Sequence, residues 1–135
     1  MLVNFLHNKK GLKIIEGEEI KNYINKKLSY LWIKASNISP EEMNILKEKF
    51  NLHPITIEDV LSQQTRVKYE EFEEYTLIVF KGIKGIKENY VETYNISFII
   101  GENFIISIDE NGDEIIEELS KNHKKIENLL KKGED

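Results

Sequence analysis

Two adjacent carboxylates, Glu58 and Asp59, stand inside the segment His53-Pro-Ile-Thr-Ile-Glu-Asp-Val-Leu61. No other residues of this chain have types and spacing better suited to chemistry. Their oxygens are hard donors. A cation such as Mg2+ is held through one or two carboxylates and keeps several of its waters, so an outward-facing acid pair is a suitable ligand set. Spacing alone leaves the plainer alternative open, that the pair is simply solvated. The chain has no cysteine, which excludes disulfides, thiolate zinc sites and thiol nucleophiles. His53 precedes a proline and reads as a turn residue, with no second histidine near enough in sequence to make a zinc site. His7 falls at a strand end and His123 in the apolar stripe of a helix. There is no phosphate-cradling glycine loop, no Gly-x-Ser-x-Gly elbow and no His-Glu-x-x-His pair. Paired carboxylates are too common to imply glycoside hydrolysis, and a non-enzymatic role is expected.

Two further acidic groups read as structure. Glu70, Glu71, Glu73 and Glu74 suit an exposed strand edge kept from pairing by charge. The run Asp109-Glu-Asn-Gly-Asp-Glu114 looks superficially like a calcium loop, but its glycine is misplaced, no helix precedes it, and Ser120 stands where a bidentate glutamate is needed. A turn leading into a capped helix explains it better.

The elements that must position the acid pair follow from periodicity and punctuation. Met1–His7 and Gly11–Glu16 predict two strands around an Asn8–Gly11 turn. Ile20, Tyr23, Ile24 and Leu28 predict a helix over Glu18–Leu28, and Tyr30–Ala35 a strand carrying the only tryptophan, Trp32. Ser39-Pro40-Glu41-Glu42 combines an N-cap serine, proline at the first helical position and glutamate three after the cap, opening a helix that ends near Asn51. Pro54 starts a second short helix over Ile55–Ser62, with Ile57, Val60 and Leu61 inward; in that frame Asp59 points away from the stripe and Glu58 lies on its flank. Strands are expected at Tyr69–Phe72, Tyr75–Gly82, Val91–Ile100 and Asn103–Ile108, with Lys84–Glu88 a loop. The near-continuous apolar runs around Phe98–Ile100 and Phe104–Ile106 suit a sheet covered on both faces. A long final helix, Asp113–Lys132, would place Ile115, Ile116, Leu119, His123, Ile126, Leu129 and Leu130 on one face. The order implies an α/β fold, an αβα sandwich with a mixed central sheet, in a single domain over residues 1–135.

The net charge of −5 argues against a nucleic-acid partner, which needs a concentrated basic surface. The basic doublets Lys9–Lys10, Lys26–Lys27, Lys124–Lys125 and Lys131–Lys132 read as solvated faces. No apolar run approaches the roughly 20 residues needed to span a bilayer, and the N-terminus lacks the shape of a signal peptide.

Several pieces taken in order resemble the cytosolic domain of CorA-type magnesium and cobalt transporters. They are Leu31-Trp-Ile33, Ser39-Pro-Glu-Glu42, Phe50-Asn-Leu-His-Pro-Ile-Thr-Ile-Glu-Asp-Val-Leu61, Gln64-Thr-Arg66, Lys68-Tyr-Glu-Glu-Phe72, Tyr75, Leu77-Ile-Val-Phe80 and Ile96–Ile106. The resemblance covers about Tyr30 to Leu130 and departs at Val67, where the family commonly has proline after arginine. It implies a homopentamer on the cytoplasmic side of the cell membrane, and partners in the chain's own stalk and membrane region, which this sequence lacks. This chain would then be a soluble piece of a longer protein. It also implies that Glu58 and Asp59 face acids of a neighbouring subunit across weakly bound, shared Mg2+ or Co2+, which holds the closed state. A related zinc transporter domain and a non-enzymatic interaction module are the alternatives.

Overall fold

The Asn8–Gly11 signal makes the hairpin it predicts. In the computed structural model of the chain, which describes residues 1–24, 26–62, 66–110, 114–122, 124–126 and 128, β1 (Leu2–Asn8) and β2 (Gly11–Ile15) pair antiparallel. Gly11 takes the left-handed turn at φ 100°, a conformation that costs glycine little. Asn8 Oδ1 accepts the Lys10 N–H at 2.9 Å.

The expected helix over Glu18–Leu28 is instead a short 3-10 helix, Gly17–Asn22, followed by turns. The reason lies far away in sequence. Asn103 donates its side-chain amide to the carbonyl of Tyr23 at 2.8 Å, one that a continuing helix would use, and to that of Ser29 at 3.1 Å, which fixes the turns that follow. Ile20 still buries, but Leu28 turns outward at φ 63°.

After β3 (Tyr30–Ser36), the Ser39 signal gives α1 (Pro40–Phe50) with the capping box formed. The Glu42 N–H donates to Ser39 Oγ at 3.1 Å, and Glu42 Oε1 accepts the Ser39 N–H at 3.1 Å. Asn51 closes the helix in the left-handed conformation at φ 53°, a role asparagine fills where glycine is absent.

Next come α2 (Pro54–Leu61), the short strand β4 (Lys68–Glu71), and β5 (Tyr75–Ile86) with β6 (Val91–Gly101). The segment expected to be a loop from Lys84 is largely strand: a register irregularity between Ile83 and Gly85 bends the pairing without ending it. β7 (Phe104–Asp109) and α3 (Glu114–Ser120) follow. The expected twenty-residue helix is interrupted at 121–122. Asn122 Oδ1 accepts the Lys125 N–H at 3.1 Å, so this asparagine caps a new turn in place of continuing the old one. His123, Leu129, Leu130 and the end of that helix lie outside the described residues, as does the 111–113 part of the turn before it.

Among the described residues seven strands form one sheet in the order β2-β1-β3-β7-β6-β5-β4. Every pair is antiparallel except β3 with β7. The sheet is therefore mixed, and helices cover both faces. On one face Met43, Leu46 and Phe50 of α1 bury against Leu31, Ile33, Leu77, Val79, Ile99 and Ile106. On the other, Ile116 of α3 and Ile126 cover Phe5 and Trp32. There the Trp32 Nε1–H donates to Ser107 Oγ at 2.9 Å, and the buried Lys34 ammonium meets Glu117 at 2.6 Å. Coverage of this second face is partial among the described residues, for Ile100 and Ile105 remain 38% and 36% exposed.

Candidate metal centre

The helix that carries both candidate ligands is seated by its first turn. His53 caps α2, its Nδ1 accepting the Ile55 N–H at 3.1 Å. Pro54 takes the first helical position, where a missing N–H costs nothing. Tyr75, at the start of β5, then anchors this turn to the sheet. Its hydroxyl accepts the His53 N–H at 2.9 Å and lies 2.6 Å from Thr56 Oγ1. Phe72 stacks on the Tyr75 ring at 4.7 Å. Thr56 is fully buried, so its hydroxyl depends on this bond. Tyr75→Phe is expected to lower stability by about 1–2 kcal/mol, since the buried Thr56 hydroxyl and the His53 N–H both lose their partner. Urea unfolding with an unchanged slope is the measurement; a loss within error would mean the anchor contributes nothing.

This anchor turns the helix away from its simplest amphipathic frame. Thr56, Ile57 and Val60 face the sheet, whereas Leu61, expected inward, is 43% exposed. The rotation is roughly 50°, half the step between successive helical residues. It exchanges the places expected for the two acids. Glu58 is exposed on the outward side, and Asp59 lies half-buried on the flank that faces β4.

On that flank Asp59 is ion-paired. The Lys68 ammonium binds Asp59 Oδ2 and lies 2.8 Å from Glu70 Oε2. The period-two alternation of a strand puts Lys68 and Glu70 on one face of β4, opposite Val79 and Leu77, under the α1–α2 layer. Tyr69 and Glu71 take the other face and are exposed. The hydrogen bond with Asp59, and after it the one with Glu70, holds the Lys68 ammonium above the ordinary lysine pKa. Of the four glutamates expected along a solvated edge, Glu71, Glu73 and Glu74 are exposed as anticipated. Glu70 is the exception, turned inward by its register.

The donor set fits a hard cation in kind: two neighbouring carboxylates on α2, with Glu70 close to one of them. Its number falls short of a full shell, since among the described residues no three of His, Cys, Asp or Glu gather to hold a metal. His53 is occupied as a helix cap and His7 is buried in β1. Periodicity and spacing single out none of Thr56, Tyr75 and Lys68 as site residues, and they place Glu70 on a solvated edge. For Lys68 and Glu70 the alternation Lys-Tyr-Glu-Glu was the signal available.

The fold has counterparts among solved structures. The soluble domain of CorA from Methanocaldococcus jannaschii superposes with a TM-score of 0.66 at 19% identity, covering 87% of this chain and 44% of that one. The chain belongs to the family described as CorA-like Mg2+ transporter protein, whose sequence profile matches residues 27–134. Among curated relatives, the manganese resistance protein MNR2 of Saccharomyces cerevisiae is 40% identical over 60 residues, 44% of this chain and 6% of the relative. The cobalt/magnesium transport protein CorA of Thermotoga maritima is 31% identical over 81 residues, 58% of this chain and 23% of the relative. The chain thus spans a small part of the length of the relatives it matches. Among the described residues no helix is long and apolar enough to cross a membrane.

Proposed function

We propose that this chain is the divalent-cation-sensing, regulatory part of a CorA-like transporter, standing on the cytoplasmic side of the cell membrane. In this reading Glu58 and Asp59 form the near half of a clamp for Mg2+ or Co2+, and a neighbouring copy in a homopentamer supplies the far half. The observation that supports it most is the placement of the acid pair. α2 is fastened to the sheet at its first turn, and its two carboxylates stand at or near the surface with too few companions to enclose an ion. The rest of the shell would come from waters and from the facing surface of a neighbouring copy.

The energetics favour weak sites acting together. A site at tenfold its dissociation constant stabilises the liganded state by about 1.4 kcal/mol. Five copies moving as one would gain about 7 kcal/mol, above the roughly 5.5 kcal/mol that swings a two-state equilibrium from 1:99 to 99:1. Loss of the cation leaves facing carboxylates to repel, and the interface loosens.

Titrating the chain with Mg2+ and following amide resonances tests the near half directly. Weak, saturable shifts centred on Ile57–Leu61 are expected, and Glu58→Gln with Asp59→Asn should abolish them. A tight one-to-one site that survives both substitutions would overturn the assignment.

A further inference from the structure

We propose that the crevice at the carboxyl ends of β3 and β7 is a binding site for a small aliphatic amine, whose ammonium is received by Ser97 and an acidic rim. The site is separate from the acid pair on α2 and stands whether or not that pair takes Mg2+.

Topology opens the crevice. β3 and β7 are adjacent and parallel, yet β3 leads into α1 on one face of the sheet and β7 into α3 on the other. Where neighbouring parallel strands send the chain to opposite faces, a gap is left beyond their carboxyl ends, and open α/β sheets bind ligands there. Here the gap is about 380 Å3, within the range of small-molecule sites. Asn37 and Ile38 after β3 wall it on one side, Asp109 and Glu110 at the end of β7 on another, and Val60 and Leu61 of α2 on a third. Both flanking helix ends are pinned. The Ser39–Glu42 capping box holds the start of α1, and Asn95 Nδ2 donates to the Ser62 carbonyl at 2.9 Å, tying the end of α2 to β6. A ligand therefore meets a site already shaped, with little left to order.

The second observation lies on the floor. Ser97 stands opposite Ile108 in the β6–β7 register, so its side chain rises on the α1–α2 face and lines the crevice. It is 2% exposed, and among the described residues no hydrogen bond engages its hydroxyl. Buried hydroxyls are ordinarily partnered, so the bonding capacity of this one is turned toward the crevice. The rest of the lining selects the ligand. Asp109 and Glu110 bring negative charge, and the end of α2 brings the negative pole of a helix dipole. Among the described residues no lysine or arginine lines the space, which disfavours phosphates and carboxylates. Ile38, Val60, Leu61 and Ile108 give apolar walls suited to methylene groups. A protonated amine on a short alkyl chain matches both parts: its ammonium donates to Ser97 Oγ, and its chain covers the apolar wall.

Titration of the chain with hexamethylenediamine, followed through its amide resonances, tests this, with hexanediol and adipate as neutral and anionic probes of the same length. Saturable shifts at Asn37, Ile38, Leu61, Ser62 and Ser97 are expected with the diamine, markedly weaker binding with the diol, and none with adipate. Ser97→Ala should weaken the diamine about tenfold, the scale of one hydrogen bond to a charged group. Glu110→Gln should weaken it as well, whereas Glu71→Gln, exposed on β4, should leave it unaltered. The Glu58→Gln/Asp59→Asn chain should bind the diamine as the unsubstituted chain does; loss of binding there would place the amine on the acid pair and overturn the assignment. Equal binding of diamine and diol would overturn the amine class. Unchanged affinity in Ser97→Ala, or unsaturable shifts scattered over the exposed acids, would show surface attraction alone and sink the site.

Discussion

Trp32→Ala is expected to destabilise the chain by about 3–5 kcal/mol, the range for emptying a large aromatic site. Trp32 is buried on β3, where its ring stacks on Phe5 with centroids 5.0 Å apart and planes at 23°. Its indole N–H is spent on Ser107 Oγ at 2.9 Å, and Ser107 is itself buried. Alanine leaves a cavity beneath Ile116 and Ile126 and strands a hydroxyl. Trp32→Phe helps separate the two contributions, because it keeps much of the apolar area and loses the hydrogen bond, worth about 1 kcal/mol, together with a small part of the ring. Urea unfolding of both variants is the measurement. A cost for alanine near that of phenylalanine would show that the face under α3 is not a sealed interior.

The second large effect is expected at Gly101, where β6 turns into β7. Gly101→Ala would put its Cβ 2.2 Å from Phe104 Cε1 and 2.3 Å from Cζ, closer than atoms can sit. Phe104 cannot easily give way. It is buried, with its ring 4.6 Å from that of Phe50 in α1. Relief requires moving the ring, the helix or the strand ends, which costs about 2–3 kcal/mol. Gly82→Ala is the instructive contrast. Its Cβ would fall 2.5 Å from Tyr94 Cζ, yet Tyr94 is only partly buried and its ring tip can swing aside. That change should cost below about 1 kcal/mol. Thermal unfolding of the two variants side by side decides the matter, and equal losses would refute the packing argument.

Much of the architecture was legible because its signals are local. Ser39-Pro40-Glu41-Glu42 starts a helix by satisfying its own first N–H groups, and no tertiary contact needs to be known. The β1–β2 turn and the Gly101–Asn103 turn are equally self-contained. Failures came where a distant residue intervenes. Ile20, Tyr23, Ile24 and Leu28 have helical spacing, but Asn103, some eighty residues later, takes the carbonyls of Tyr23 and Ser29. In the last helix a side chain competes locally: Asn122 restarts the chain, and the apolar stripe running through it masked that signal.

The candidate centre divides along the same line. The helix, its histidine and proline start, and the presence of two acids on it could be read from nine residues. Which acid faces outward could not, since the orientation of α2 is set by a hydroxyl pair with Tyr75 rather than by the apolar stripe. Thr56 stands outside the Ile57, Val60 and Leu61 stripe, so periodicity gives it no place in the interior, yet it is fully buried. Glu70 reads as one of four glutamates on a solvated edge, and only register places it, with Lys68, on the face under α2.

The lone parallel pairing has a consequence for how the chain is made. Leu31 lies beside Phe104 and Ser36 beside Asp109, so the seam joining the two halves of the sheet closes only across roughly seventy intervening residues. Contacts of such sequence separation slow folding, because loop closure must precede any reward. At a synthesis rate of about 5–20 residues per second, β3 waits roughly 4–14 s on the ribosome for its neighbour. Until then its outer backbone edge, flanked by Leu31 and Ile33, is open to strands of other chains. The nascent N-terminal hairpin with β3 is thus the stretch most in need of shielding by chaperones, and the emergence of β7 is the event that ends its exposure.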